Sequence, residues 1–178
     1  MAQMKTSMIN LFIPLAALMV ACSSSRPASE VSSTAPEPET PSVQYGGASK
    51  TDSLFLSLER TPCFGACKAY RIELFRSGFA TYDGRNNMEK EGKHTARIGS
   101  DTLRVILARA ENLGFFSMKD KYDGEVTDLP STYLRIAAVG KDKKVLGRVG
   151  TPQEFKALVS YIEALLLPVP WQPATSKP

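Results

Sequence analysis

Histidine is nearly absent: His94 is the only one in 178 residues, which removes most arrangements for general acid–base or nucleophilic catalysis. Cysteine is scarce too, at three residues, too few for the disulfide framework of a small secreted scaffold. No glycine-rich turn joins a strand to a helix, and strands and helices do not alternate, so a doubly wound nucleotide-binding fold is disfavoured. Runs of like charge are missing from a chain of net charge +4. Lys68, Arg71, Arg76, Arg85, Lys90, Lys93 and Arg97 alternate with Glu73, Asp83, Glu89 and Glu91, which describes a solvated face rather than a nucleic-acid surface. The apolar run Met8 to Ala21 is too short to span a bilayer as a helix.

That short run behind Lys5 has the size of a secretory signal core, so residues 1–21 are read as a signal peptide outside the fold. Its end, Leu18-Met19-Val20-Ala21-Cys22, resembles the lipobox of bacterial lipoproteins. The resemblance implies that Cys22 receives a thioether diacylglycerol and becomes the N-terminus. It places the protein in the bacterial cell envelope, on the outer membrane, with the lipid as its membrane partner. Residues 22–50 are rich in serine, proline and glutamate and cannot bury enough surface to offset their ordering entropy. They form a tether with a reach of about 30 Å.

The folded part is expected over residues 51–167 as one α+β domain. Leu54, Leu56 and Leu58 alternate as in a half-buried strand. Ala69 to Phe75 and the FATYD segment pair across Arg76-Ser77-Gly78, with Gly78 in the left-handed position of the turn. A fourth strand covers Lys93 to Ile98. Leu103, Ile106, Leu107, Ala110 and Leu113 then share a helical face, with Ser100 or Asp101 as N-cap and Gly114 as the stop. Tyr133 to Val139 and Lys144 to Val149 read as a hairpin around Gly140-Lys141-Asp142. Thr151-Pro152-Gln153-Glu154 spells a capping box before the apolar stripe Phe155, Leu158, Val159, Ile162 and Leu166. The order β-β-β-β-α-β-β-α predicts an antiparallel sheet of about six strands with two helices on one face. The tail 168–178 is proline-rich and expected to lack regular structure, with Trp171 docking back on the domain.

With Cys22 assigned to lipid, Cys63 and Cys67 remain, an even number suited to pairing in an oxidising compartment. Four residues along a straight strand cover about 13 Å, whereas a disulfide needs Cα atoms within about 7 Å. The segment must therefore turn, which Pro62 and Gly65 permit. The sequence Cys63-Phe64-Gly65-Ala66-Cys67-x-x-Tyr70 resembles the lipoprotein-associated domain family DUF6438. So do Tyr82-Asp83-Gly84, Gly92-Lys93-His94 and Thr127-Asp128-Leu129-Pro130. The resemblance covers about residues 53–166 and implies an extracytoplasmic single-domain lipoprotein with no assigned activity. Lys68 stands where the family commonly has proline.

Three readings of the cysteine pair remain open from sequence. One is a structural disulfide in a binding or scaffold domain that meets an envelope protein or ligand. The second is a soft-metal site, copper or zinc, using Cys63, Cys67 and His94. The third is thiol–disulfide redox chemistry, although the C-x-x-x-C spacing precedes a strand rather than opening a helix. A second cluster, Asp123, Glu125, Thr127 and Asp128, offers paired acids or a hard-cation site, against ordinary turn chemistry before Pro130. No catalytic residue and no cofactor are assigned; the domain is expected to act by contact.

Overall fold

The computed structural model describes residues 51–126 and 128–175. The signal, the tether with Cys22, Thr127 and residues 176–178 lie outside the described residues. The elements are β1 (Leu54–Arg60), β2 (Ala69–Phe75), β3 (Phe79–Asn86), β4 (Gly92–Arg97), α1 (Ser100–Asn112), β5 (Lys121–Tyr122), β6 (Thr132–Ala138), β7 (Lys141–Gly147), α2 (Gln153–Leu166) and β8 (Gln172–Pro173). The strands form one sheet in the order β5-β7-β6-β1-β2-β3-β4-β8. Every pairing is antiparallel except β5 with β7. The α+β class and the two helices are as expected, with eight strands instead of about six because β5 and β8 add two residues each at the sheet edges. No described helix is long and apolar enough to cross a membrane.

Period-two alternation sets the inner face. Leu56 and Leu58 of β1, Tyr70, Ile72 and Leu74 of β2, and Leu134 and Ile136 of β6 are buried together. The stripe of α2, Phe155, Leu158, Val159, Ile162 and Leu166, closes on them with Ile106 and Ala110 of α1. With both described helices packed on the inner face, the outer face is left uncovered among the described residues. It is a ladder of paired charges: Glu59 with Arg71 and Arg85, Arg85 with Asp83, and Arg135 with Asp142. Opposite charges satisfy each other there, across strands for Glu59–Arg71 and Arg135–Asp142 and along one strand for Asp83–Arg85.

Gly78 adopts φ +81° in the β2–β3 turn, as the turn requires. Several local expectations need correction. The second hairpin turns at Val139-Gly140, with Ala138 opposite Lys141, so β7 begins three residues earlier than expected and ends at Gly147. Inward-facing lysines hid its alternation: Lys141 pairs with Glu111 over the Phe116 ring, and Lys143 pairs with Asp120. Neither helix has a side-chain cap; Gly99 and Pro152 occupy the cap positions, and Asp101 pairs with Arg104 instead. The tail is not without structure, because Gln172–Pro173 pairs with β4 and covers that edge. Trp171 does dock: it is 5% exposed, its ring lies 5.4 Å from that of Tyr82, and its indole N–H donates to the Leu166 carbonyl at 3.0 Å.

Candidate functional site

Residues 61–68 connect β1 to β2 at one end of the sheet. Cys63 and Cys67 are bonded to each other with Cα atoms 5.6 Å apart, closing a five-residue ring. Such a ring stabilises by about 2 kcal/mol in the chain-entropy account. Phe64, at the tip, is 96% exposed. The base of the loop is fixed at two points. Thr61 N–H donates to the Ser131 carbonyl at 3.0 Å, and Ser131 N–H donates to Thr61 Oγ1 at 2.9 Å. On the other side Asn87, held at φ +52°, donates its side-chain amide to the Cys67 carbonyl at 3.1 Å.

Ser131 is the one buried polar residue among the described core, at 1% exposure. Its hydroxyl accepts from Arg148 Nε at 2.9 Å, and Arg148 NH1 lies 3.4 Å from Asp123. Asp123 also pairs with Lys121 at 2.9 Å and accepts the Gly124 N–H at 2.9 Å. The Lys121 hydrogen bond, then the Gly124 N–H and the Arg148 charge, hold its carboxyl below the usual aspartate value. An ionised, cation-paired carboxylate of this kind fixes the segment entering β6. Asp128 sits exposed at φ +68°, a backbone state that aspartate tolerates better than most residues. Asp123 and Asp128 thus have turn and ion-pair roles, and Thr127, their predicted companion, is outside the described residues.

Tyr70 belongs to a network that the sequence pattern did not show. Its hydroxyl donates to Glu163 Oε1, and Arg60 grips both oxygens of the same carboxylate, through Nε at 2.5 Å and NH2 at 3.1 Å. Burial first, and then the Glu163 hydrogen bond, push the Tyr70 pKa well above its ordinary 10.0. The network ties β1 and β2 to the C-terminal half of α2, and among the described residues no buried side-chain polar atom lacks a partner. The one signal available was a glutamate beside Ile162 on an otherwise apolar stripe.

His94 lies on β4, its ring 5.9 Å from that of Tyr82 and its Nδ1 3.1 Å from the Gly92 carbonyl. Among the described residues no group of three histidine, cysteine or acidic side chains could hold a metal ion. The two sulfurs of the expected soft-metal set are bonded to each other.

Residues 54–166 match the family described as a domain of unknown function, DUF6438. The chain belongs to the DUF6438 family. No curated protein matches it in sequence. The DUF6438 match runs from the start of β1 to the end of α2 and takes in β1 to β7, so the Cys63–Cys67 loop, Ser131 and the Arg60–Glu163–Tyr70 network are all inside it. Trp171 and β8, which seal the β4 edge, lie beyond the DUF6438 residues, as does Cys22.

Proposed function

We propose that the chain is a bacterial envelope lipoprotein, anchored through Cys22, whose non-catalytic domain binds an envelope protein through the stapled loop. The observation that carries this reading is Phe64, 96% exposed at the tip of a ring closed by a disulfide. An aromatic side chain in water contributes nothing to the fold, whereas covering it gains about 2 kcal/mol. Because the loop is already ordered by the Cys63–Cys67 bond, a partner that covers Phe64 meets little of the usual ordering cost. Leu129, 44% exposed, stands two residues before Ser131, whose backbone is hydrogen-bonded to Thr61 at the base of the loop, and offers further apolar surface at this end of the sheet. The oxidised pair suits the export implied by the lipobox-like end of the signal, and the tether gives the domain reach away from the membrane.

A photo-crosslinking residue placed at Phe64 in cells is expected to give a discrete adduct with an envelope protein. The same residue at Val139 is the control, since Val139 is 89% exposed in the β6–β7 turn at the opposite end of the sheet. An adduct at position 64 that is absent at 139 and lost when Leu129 is changed to Asp supports the contact surface. Equal labelling at both positions would defeat it.

A further inference from the structure

A cleft of about 340 Å³ opens between the ends of β6 and β7 and the first turns of α2. Three cationic side chains line it, Arg60, Arg148 and Lys156, and no carboxylate does. Two of the three are held from behind. Arg60 gives Nε and NH2 to Glu163, leaving NH1 beside Thr132 Oγ1 at 3.5 Å, itself a cleft residue. Arg148 gives Nε to Ser131 and NH1 to Asp123. Lys156 is exposed and has no side-chain partner among the described residues.

The floor is closed by Phe155 and Val159, which are packed into the core and each only 2% exposed. Gly147 permits that floor: a Cβ there would stand 2.7 Å from Phe155 Cε1 and 2.9 Å from Thr151 Cγ2. Guanidinium groups already ordered by internal partners offer their remaining N–H donors to an anion without a further entropy cost, and charged donors make the stronger hydrogen bonds. The volume stands at the small end of ligand sites, about 300–1,000 Å³. A rim of charged N–H donors with no carboxylate among its lining residues fits a small anion, and the paired donors of a guanidinium match a planar carboxylate. We infer that this cleft binds a small carboxylate, an inference that does not rest on the Phe64 contact.

The test uses the full chain, labelled for amide NMR, with N-acetyl-alanyl-alanine as probe and its C-terminal amide and inorganic phosphate as comparisons. The acid is expected to shift the Thr132, Thr151 and Lys156 resonances saturably, with the amide about tenfold weaker. Lys156→Met, an exposed change that leaves the fold intact, is expected to weaken the acid about tenfold as well. Equal response to acid and amide would overturn the assignment. So would shifts undiminished in Lys156→Met, or saturable shifts with phosphate and none with the acid.

Discussion

Replacing Gly78 by alanine is expected to destabilise the domain by about 3–4 kcal/mol. Two costs combine. The φ of +81° is unfavourable for any residue with a Cβ, by about 1–2 kcal/mol. The added Cβ would also stand 2.3 Å from the Ile98 carbonyl oxygen, whose strand end is pinned there by the Ile98 N–H donating to the Gly78 carbonyl at 2.8 Å. Backbone has to move for the methyl to fit. Gly92 supplies the internal comparison: its φ is +82°, yet a Cβ there meets nothing within 4 Å. Gly92→Ala should therefore cost only about 1–2 kcal/mol. Urea unfolding of both variants measures the difference, and equal losses would show that the Ile98 contact is relieved without cost.

Glu163→Leu is expected to cost about 2–3 kcal/mol at neutral pH, because it leaves Arg60 and the Tyr70 hydroxyl without their acceptor. The same network has a signature in alkali. The unfolded chain releases the Tyr70 proton near pH 10, while burial and the Glu163 hydrogen bond make the folded domain keep it. Its contribution is therefore complete below about pH 10 and is lost as pH rises above that, at about 1.4 kcal/mol per pH unit for the one group. Tyr82, also raised by burial, adds in the same direction. Tyr70→Phe should flatten the alkaline limb of a stability–pH curve while leaving the Tyr82 part. A limb of unchanged slope in Tyr70→Phe would remove Tyr70 from the explanation.

What the sequence made legible follows from periodicity. All five stripe positions of α2 are buried, because a 3.6-residue repeat over fourteen residues admits one apolar face. The β2–β3 hairpin was equally plain from alternation and Gly78. Legibility failed where pairing is not periodic. β8 is two residues with a proline, and it exists because Trp171 docks against Tyr82 and brings Gln172 alongside Thr95. The candidate site divides in the same way. The turn between Cys63 and Cys67 follows from their spacing once the two are paired, whereas nothing in the sequence pattern set Phe64 apart as the exposed tip. Arg60 and Glu163 are 103 residues apart, and Ser131 and Thr61 are 70 apart, so no spacing rule joins them. Asp123 looked like chemistry in the sequence although one of its cations, Lys121 at 2.9 Å, stands two residues away; the other, Arg148 at 3.4 Å, arrives from just beyond β7.

A stapled contact loop on a lipid-tethered domain is tested most directly by the mass of the full chain after export in a bacterial host. Digestion and mass spectrometry, with alkylation before and after reduction, read both claims in one sample. The expected result is an N-terminal peptide that begins at Cys22 and carries the lipid, together with a Cys63–Cys67 peptide about 2 Da lighter than its reduced form and closed to alkylation until reductant is added. A chain that keeps residues 1–21 without lipid and alkylates at both Cys63 and Cys67 without reduction would contradict it.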